Sequence, residues 1–477
     1  MSLYLAIDLG TTGMRSMIFD GELNQLSYSY EEYGLITPRE GWVEQDAELW
    51  WELLLKTARA AIEKAGVSAS RIKSIAVSSQ GITLVPVDGE LRPLCNAISW
   101  LDVRAERETE RIKRDFGDRL FAITGKPTLS AYTLPKLLWL KENDSETYGK
   151  AYKFLMPCDF LVARMCAKCV TESSMASGTL MYDLKGGRWC AEILDKYGID
   201  ERKLPEIAVS TDKAGCVTLE FAKLLGLSPD CVVAVGAQDQ KCAAFGAGLC
   251  DGAMTVSLGT AAAVTKLWRK PEIKNTGVGW CGYVEKDSFV TEGVIATAGT
   301  CLRFVRDMFF KGEDYDVINK EAEEAMERGC SLIFHPYLGG PSSPDYYPDS
   351  IANLFGLNLS TQRGDVALSV MEGVAFNLRS ILGAMDAYGN VDKLVLFGGG
   401  SKGDLWCRII AGATGIPTVT LTSPEAAGAG AARIAAMAVG VNLPPLKEKE
   451  KFLPQNIDYY NGKYEKYLNI EKRLFGG

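Results

Sequence analysis

A stretch near the N-terminus, Asp8-Leu9-Gly10-Thr11-Thr12-Gly13, places a carboxylate directly before a turn rich in Gly and Thr. Short apolar runs flank this turn, so the pattern predicts a β-hairpin. The glycines allow backbone N–H groups to approach an anion closely, while the threonines and Arg15 add hydroxyl donors and positive charge. A carboxylate beside a phosphate is repelled unless a cation lies between them, so Asp8 is predicted to hold Mg²⁺ next to a nucleotide phosphate. The alternative is an ordinary Gly-rich turn with a solvated aspartate.

A second strand–turn–strand of the same build lies at residues 253–265 and contains Leu258-Gly259-Thr260. Two such hairpins, one from each half of the chain, could face each other across a cleft and hold nucleotide phosphates between them. A third Gly-rich turn, Gly398-Gly399-Gly400, follows a predicted buried strand and could take the adenosine. It lacks the spacing of a dinucleotide-binding fingerprint and has no acidic residue after a second strand, so nicotinamide binding is the weaker alternative.

Asp239 is the candidate catalytic base. It follows a predicted strand in a Gly-rich turn, where it could accept the proton of a substrate hydroxyl that attacks the γ-phosphate. Positioning and charge neutralisation would supply most of the rate, because the transition state of phosphoryl transfer is loose. The alternative is that Asp239 caps the helix that follows it.

The composition is that of a globular protein and excludes several classes of function. The chain has 477 residues, a net charge of -8 and no dense run of Lys or Arg, so a nucleic-acid partner is not expected. No signal peptide is predicted, and the most apolar stretch, residues 426–439, is rich in Ala and Gly and carries Arg433, which indicates a packing helix and no membrane span. Thirteen scattered cysteines favour free thiols in the cytoplasm.

Histidine and paired cysteines offer little further chemistry. His335 is the single histidine, so mechanisms that need two histidines, including most zinc hydrolases, are excluded. A Ser-His-Asp relay would have to use this residue, and carboxylates are therefore the natural acid/base candidates. Cys166 and Cys169 form a lone C-x-x-C pair without a second pair or a nearby histidine, so redox or metal chemistry there is the weaker alternative.

The length of the chain predicts two domains. The repeated hairpin pattern places them at residues 1–246 and 247–477, and no Pro/Ser linker separates them, so the halves are expected to meet over a broad cleft. Helices are predicted near residues 46–64, 130–140 and 405–412, and buried strands near residues 72–78, 231–235 and 393–397.

These residues resemble the FGGY family of carbohydrate kinases, and the resemblance covers essentially the whole chain. The opening turn is similar to the family's first phosphate motif. Residues 133–143 resemble its first signature, although Ala131 stands where a larger or aromatic residue is usual. Residues 352–372 agree with its second signature, which closes on Ser369-Val370-Met371-Glu372. Such a long ordered agreement is far more specific than a Gly-rich loop.

The resemblance implies an α/β fold of two ribonuclease-H-like domains, as in actin-like ATPases, that close on ATP and a sugar. It implies Asp239 as the general base and Asp8 as the carboxylate on the Mg²⁺ side. The residues expected along the nucleotide are Gly10, Thr11, Thr12, Arg15, Gly259, Thr260, Gly299, Gly400, Ser401 and Asp404. Those that match the acceptor side are Gln80, Gly81, Trp100, Asp102, Arg104, Asp239 and Gln240. A homodimer is expected from family precedent alone.

The acceptor is predicted to be a small sugar or polyol, with a five-carbon ketose such as xylulose as the first candidate. After Gln80 the chain has Gly81-Ile82, where glycerol kinases of the family carry Arg-Glu and xylulose kinases carry Met-His, which argues against glycerol. Gln240 is closer to glycerol kinases and argues the other way. A smaller, less charged pocket that suits a neutral acceptor is therefore expected. A glycerol kinase, or another polyol or sugar-acid kinase of the same family, is the alternative.

Two further points bear on function. Residues 339–344, Gly-Gly-Pro-Ser-Ser-Pro, stand where many relatives have Gly-Glu-Arg-Thr-Pro, so the usual ion pairing of this loop is expected to be missing. An actin-like or chaperone-like ATPase without a sugar substrate would share the hairpins, but the acceptor-side residues and the helix around Lys136 favour a kinase. The retained Asp8 and Asp239 argue against a degenerate, non-catalytic relative.

Overall fold

The computed structural model describes residues 2–274 and 276–476. Its elements form two lobes that follow each other along the chain. We name the elements up to Gly246 the first lobe and those from Gly252 onward the second lobe. The division into domains at residues 1–246 and 247–477 stays a prediction.

The strands of the first lobe are β1 (Leu3–Leu9), β2 (Gly13–Phe19), β3 (Gln25–Glu32), β4 (Glu44–Gln45), β5 (Ile72–Ser79), β6 (Val85–Val87), β7 (Ala97–Ile98), β8 (Lys153–Leu155), β9 (Val170–Glu172), β10 (Tyr182–Asp183), β11 (Arg188–Trp189), β12 (Glu206–Ala208), β13 (Lys213–Cys216), β14 (Val232–Ala234) and β15 (Ala237–Gln238). Its helices are α1 (Ala47–Ala65), α2 (Glu106–Phe116), α3 (Asp118–Thr124), α4 (Thr133–Asn143), α5 (Ser145–Lys150), α6 (Pro157–Cys166), α7 (Ser173–Ser177), α8 (Ala191–Tyr197), α9 (Leu219–Leu225) and α10 (Asp239–Gly246).

The strands of the second lobe are β16 (Gly252–Leu258), β17 (Ala262–Trp268), β18 (Gly279–Gly282), β19 (Phe289–Ile295), β20 (Ile333–His335), β21 (Asn353–Phe355), β22 (Val391–Phe397), β23 (Thr418–Leu421) and β24 (Glu448–Phe452). Its helices are α11 (Gly299–Phe309), α12 (Tyr315–Arg328), α13 (Arg363–Ala384), α14 (Asp404–Thr414), α15 (Ala426–Met437) and α16 (Ile457–Phe475). The predicted helices correspond to α1, α4 and α14, and the predicted strands to β5, β14 and β22, with ends displaced by a few residues.

Both lobes are built on a mixed sheet with the same strand order. The first sheet runs β3-β2-β1-β5-β14-β13, and the second runs β18-β19-β17-β16-β22-β23-β24. β1 pairs antiparallel with β2 and parallel with β5, and β16 pairs in the same two ways with β17 and β22. Apart from the edge strand β18 and the short strand β15, which pairs with β5, the second sheet therefore repeats the first strand for strand. The repeated hairpins belong to two copies of one ribonuclease-H-like sheet, which is the predicted actin-like arrangement.

The lobes meet through α10 and α15. A Cβ on Gly246 would collide with the backbone of Ala426, and one on Gly430 would collide with the carbonyl of Cys242, so the two helices cross backbone to backbone. Small buried residues of α15 also pack against Tyr4, Ala6 and other residues of the first sheet. The Ala-rich stretch is thus a packing helix, as its composition predicts.

One helix within residues 2–274 and 276–476, α13, is long and apolar enough by length and composition to cross a membrane. Most of its residues are buried inside the protein, where they form the centre of the second-lobe core together with residues of α11, α12, α14 and the second sheet. Its apolar character is therefore explained by packing inside the lobe.

Candidate active site

The first Gly-Thr turn joins β1 to β2, and its carbonyl oxygens are all engaged. The hydroxyl of Tyr33 donates to the Gly10 carbonyl. The side-chain amide of Gln45 donates to the Thr11 carbonyl at 2.7 Å, and the Tyr33 N–H donates to the Thr12 carbonyl at 3.0 Å. Groups that would repel a phosphate are thus bonded away from it, as an anion-binding turn requires.

Asp8 lies at the end of β1, opposite Arg15 on β2 and Ser78 on β5. The Ser78 hydroxyl donates to Asp8 Oδ1 at 2.8 Å. Burial raises the pKa of Asp8, against the Ser78 hydrogen bond and the Arg15 charge, which lower it. Arg15 itself forms an ion pair with Glu425, just before α15, so its guanidinium is committed to a contact between the lobes.

A metal ion at Asp8 would need ligands beyond the protein. Among residues 2–274 and 276–476 there is no group of three or more His, Cys, Asp or Glu side chains placed to hold one. A carboxylate oxygen at a strand end does suit Mg²⁺, which usually keeps water and phosphate oxygens among its ligands. The donor set therefore fits a magnesium ion that arrives with a nucleotide.

The second Gly-Thr turn joins β16 to β17 and is docked onto the start of α11. Gly299 N–H donates to the Gly259 carbonyl at 2.9 Å, and Thr300 N–H donates to the Thr260 carbonyl at 3.2 Å. A Cβ on Gly299 would lie 2.5 Å from the Gly259 oxygen, so this contact requires glycine. The carbonyl oxygens of this turn therefore also accept hydrogen bonds, as those of the first turn do.

A cavity of about 650 Å³, here called the second-lobe cavity, opens beside this turn. Of the residues predicted along the nucleotide, Gly259, Thr260, Gly299 and Gly400 line it. The Ser401 hydroxyl donates to the Gly398 carbonyl at 2.9 Å and so closes the turn before α14. Asp404 is the exposed first residue of α14 and is not among the lining residues.

A second cavity of about 410 Å³, here called the interlobe cavity, lies between the lobes. The predicted acceptor-side residues that line it are Gln80, Gly81, Trp100, Asp239 and Gln240. Trp100 Nε1 donates to Thr11 Oγ1 at 3.0 Å, which ties this cavity to the first Gly-Thr turn. Residues 258–260 line the second-lobe cavity and residues 261–263 line the interlobe cavity, so the two cavities adjoin at the second turn.

Asp239 lies at the corner between β15 and α10. Gln240 N–H donates to its Oδ1 at 2.6 Å, and the Gln238 amide donates to the same oxygen. Burial and the negative charge of Asp8 raise the pKa of Asp239 to about 7. The N-cap of α10 is Gln238, which accepts the Gln240 N–H at 3.1 Å, so Asp239 does not serve as the helix cap. Asp239 therefore lines the interlobe cavity and is affected by the charge of Asp8, which is not itself among the lining residues of that cavity.

Asp102 and Arg104, predicted on the acceptor side, do not line the interlobe cavity. Asp102 is fully buried and accepts from Arg104 at 2.7 Å, while the guanidinium also pairs with Glu44 at 2.8 Å and stacks on Trp42. Asp102 Oδ2 further accepts the Val43 N–H at 2.6 Å. The pair holds the loop behind Trp100, and its predicted contact with the acceptor stays a prediction.

Charged side chains line the interlobe cavity, and the expectation of a smaller, less charged pocket, which compares this chain with relatives, stays a prediction. Lys126, Lys241 and Glu292 line it, and the Lys241 ammonium pairs with Glu292 at 2.8 Å. Burial opposes the charge of Glu292, but Lys241 and Lys126 together hold its pKa below the usual range. Lys241 lies two residues after Asp239, and this short spacing is a sequence signal that places it near the candidate base. Lys126 and Glu292 carry no motif and are brought together by the fold alone.

His335 and the C-x-x-C pair take no part in this site. His335 is buried in the second lobe, where its ring nitrogens contact Asn353 Oδ1 at 3.0 Å and the Tyr467 carbonyl at 3.1 Å. Burial lowers the pKa of His335, so a neutral ring is favoured at neutral pH. The Cys166 thiol donates to the Val162 carbonyl at 3.3 Å within its own helix. Both features belong to the packing of their lobes.

The altered loop at residues 339–344 supports the cavity wall through hydroxyl groups. Ser343 Oγ accepts the Val294 N–H at 3.1 Å, and Ser342 Oγ accepts the Ala296 N–H at 3.0 Å. The Asn377 amide donates to the Ser343 carbonyl at 2.9 Å. Since Val294 lines the interlobe cavity, serine hydrogen bonds anchor this loop to the cavity wall.

Two actin-like lobes, paired phosphate-type turns and a carboxylate in the cleft define a class of two-domain phosphotransferases. Residues 3–246 match the N-terminal domain of the FGGY family of carbohydrate kinases, and residues 254–439 match its C-terminal domain. The chain belongs to the FGGY family of carbohydrate kinases. It is accordingly a phosphotransferase, and kinases of this family use ATP as substrate.

The relatives of this chain include kinases of different acceptors. It is 30% identical to the xylulose kinase of Bacillus subtilis over 482 residues, which covers 98% of this chain and 97% of the relative. It is also 30% identical to the glycerol kinase of Thermococcus gammatolerans over 451 residues, or 91% and 89% of the two chains. The crystal structure of a xylulose kinase from Brucella ovis superposes with a TM-score of 0.91 at 28% identity and covers 99% of each chain.

Proposed function

We propose that this chain transfers the γ-phosphoryl group of ATP to a hydroxyl of a small polyhydroxylated acceptor bound in the interlobe cavity. The observation that carries this proposal is Asp239, a carboxylate that lines the cavity and has a pKa near 7. The acceptor oxygen attacks the γ-phosphorus, the bond to the ADP oxygen breaks, and the hydroxyl proton passes to Asp239. A base with a pKa close to neutral suits this transfer.

The nucleoside of ATP is assigned to the second-lobe cavity and its phosphates to the space between the two Gly-Thr turns. Support comes from the glycines that line this cavity and from the engaged carbonyl oxygens of the first turn. Gly10, Thr11 and Thr12 would then act from the first lobe, and Gly259 and Thr260 from the second. Backbone donors held in this way stabilise transferred phosphoryl charge without reorganisation.

Asp8 is the residue that would hold Mg²⁺ beside those phosphates. Its partly buried carboxyl group accepts a hydrogen bond from the Ser78 hydroxyl, and burial raises its pKa, so an adjacent cation would favour the ionised form. When bound, Mg²⁺ supplies neutralisation of the charge on the transferred group.

The acceptor is assigned to the wall formed by Gln80, Gly81, Trp100 and Gln240. A ketopentose such as xylulose is the candidate that the sequence favours, and the names of several relatives support it. A polyol or a sugar acid is the alternative, and the charges in the cavity bear on that choice below.

All thirteen cysteines lie in the described residues and none is paired there, which supports the proposal of a reducing, cytoplasmic setting.

A panel of acceptors tests the proposed function. Purified protein is incubated with MgATP and individual ketoses, aldoses, alditols and aldonates, and ADP formation is measured with and without each compound. We expect at least one acceptor to raise ADP formation by about ten-fold or more and the Asp239→Asn variant to lose this stimulation. ADP formation that no acceptor stimulates would instead indicate an ATPase without a sugar substrate.

A further inference from the structure

The interlobe cavity contains a lysine that none of the steps above uses. Lys126 lines the cavity and is buried, with 8% of its surface exposed. Within residues 2–274 and 276–476 its ammonium makes no hydrogen bond and no ion pair, whereas Lys241 is paired with Glu292 at 2.8 Å. A buried ammonium without a partner is costly, so its presence in a cavity points to a ligand that supplies one.

The backbone of the second lobe makes room for this lysine. Gly279 on β18 pairs with Glu292 on β19 in the antiparallel ladder. Lys126 Nζ lies 3.2 Å from the position that a Cβ on Gly279 would take, so a side chain there would require the ammonium to shift by a few tenths of an ångström. Trp280 N–H donates to the Gly125 carbonyl at 2.8 Å and anchors the first-lobe loop to β18. Lys126 is thus held at the junction of the lobes, beside Glu292.

The charges of the cavity have a definite order. Those that act most strongly on Asp239 are Asp8, Lys241 and Glu292, whereas Lys126 acts on Glu292 and Lys241. The contacts give the same arrangement: Lys241, two residues after Asp239, pairs with Glu292, and Lys126 Nζ lies beside Gly279, which is opposite Glu292 in the ladder. Glu292 neutralises the Lys241 ammonium, so among the described residues the Lys126 ammonium is the charge of this cluster that has no ion pair.

Building on the proposed function, we infer that Lys126 binds a carboxylate of the acceptor, which makes the acceptor a polyhydroxylated acid (an aldonate) and not a neutral sugar. A carboxylate supplies the partner that this ammonium lacks and forms a charge-assisted hydrogen bond with it. A hydroxyl at the other end of the same molecule meets Asp239. A cavity of about 410 Å³ accommodates a ligand of this kind.

Matched acceptors test this assignment. The aldonate, the alditol and the ketose of one carbon skeleton, with five and then with six carbons, are compared by ADP formation at saturating MgATP. A sugar phosphate of the same skeleton forms a separate arm, because an ammonium also binds phosphate. We expect kcat/KM for the aldonate to exceed that for the matched alditol and ketose by about ten-fold or more.

Variants of Lys126 separate its role from a structural one. Lys126→Met removes the charge, Lys126→Arg keeps it, and Lys286→Met is a matched control at an exposed lysine in the turn between β18 and β19. We expect Lys126→Met to raise the KM for the aldonate by about ten- to a hundred-fold, a larger factor than for neutral acceptors, with the KM for ATP unchanged. Lys126→Arg should recover much of the loss, and Lys286→Met should behave as the unaltered chain. Thermal unfolding confirms that each variant is folded.

The outcomes distinguish this inference from the proposed function. Preference for a neutral sugar or polyol, with the KM for the acceptor unaffected by Lys126→Met, overturns the carboxylate assignment and leaves the kinase function standing. Preference for the sugar phosphate overturns the assignment of a carboxylate and indicates that the Lys126 ammonium binds a phosphate group. An increase in the KM for ATP alone assigns Lys126 to the nucleotide and overturns the inference. Absence of stimulation by every acceptor overturns both proposals.

Discussion

Replacement of Asp239 by asparagine is the most direct test of the proposed chemistry. The substitution preserves the shape of the side chain and the acceptor oxygen that Gln240 N–H contacts at 2.6 Å, so the corner between β15 and α10 should stay intact. It removes the group that takes the hydroxyl proton. We therefore expect acceptor-dependent kcat/KM to fall by about 10²–10⁴-fold, the range typical of a lost general base, while ADP binding stays unchanged.

The pH dependence of the unaltered protein makes this prediction sharper. Burial and Asp8 raise the pKa of Asp239 to about 7, so the active, ionised form is lost as the pH falls through 7. At pH 6 about a tenth of Asp239 would be ionised, and kcat/KM should lie roughly ten-fold below its plateau at pH 8. Asp239→Asn should lack this acid limb. In Asp8→Asn the limb should move to lower pH, since the like charge is gone, even though the total activity falls.

Stability gives an independent readout of the same pKa. In the folded chain the pKa of Asp239 is raised above its unfolded value, so ionisation disfavours the folded state, and this penalty develops between about pH 4 and pH 7. Asp239→Asn removes it and should raise the free energy of unfolding by about 2–4 kcal/mol at pH 8, with no gain near pH 4. A flat pH–rate profile from pH 5.5 to 8, or a variant that retains activity within about ten-fold, would refute the role of Asp239.

Three further substitutions probe the elements around the cavities. Gly299→Ala places a Cβ 2.5 Å from the Gly259 oxygen, so we expect the second turn to shift and the KM for ATP to rise by about ten-fold or more, measured by initial rates. Trp100→Phe removes the hydrogen bond of 3.0 Å to Thr11 and should raise the KM for the acceptor by a few-fold, about 1 kcal/mol. Arg104→Met leaves a buried carboxylate unpaired and should lower the free energy of unfolding by about 3–5 kcal/mol in denaturant titrations, with little change in the KM for the acceptor of the folded fraction.

Local sequence pattern was enough to predict those parts of the fold that are formed by residues close together in the chain, such as the two Gly-Thr turns. The turns after β1 and β16 stand out because glycine and threonine interrupt two apolar runs, and the likeness of the two segments predicts the repeated sheets. Asp239 was predicted from its position after a strand in a Gly-rich turn. In each case the relevant neighbours lie within a few residues in the sequence, where backbone geometry follows from residue type.

Prediction was less successful where the environment of a side chain is built from distant segments. Asp102 and Arg104 match acceptor-side positions of the family, yet their charges satisfy each other beneath Trp100. Lys126 and Glu292 lie 166 residues apart in sequence, and the fold brings both to the interlobe cavity. No motif records this proximity, so the ionisable groups of the cavity could not be predicted from the sequence.

The charges of the cleft also give a physical reason for selectivity against water. In the chain alone, the charge of Asp8 makes Asp239 harder to ionise, and Lys126 has no partner among the described residues. By the proposals above, a phosphate with its cation would face Asp8, a hydroxyl would face Asp239 and a carboxylate would face Lys126. These partners belong to two different molecules held by two lobes, so all the charges are matched only when both substrates are present. A water molecule in place of the acceptor can offer a hydroxyl to Asp239 but leaves Lys126 unpaired, and the assembled site therefore favours transfer to the acceptor over hydrolysis.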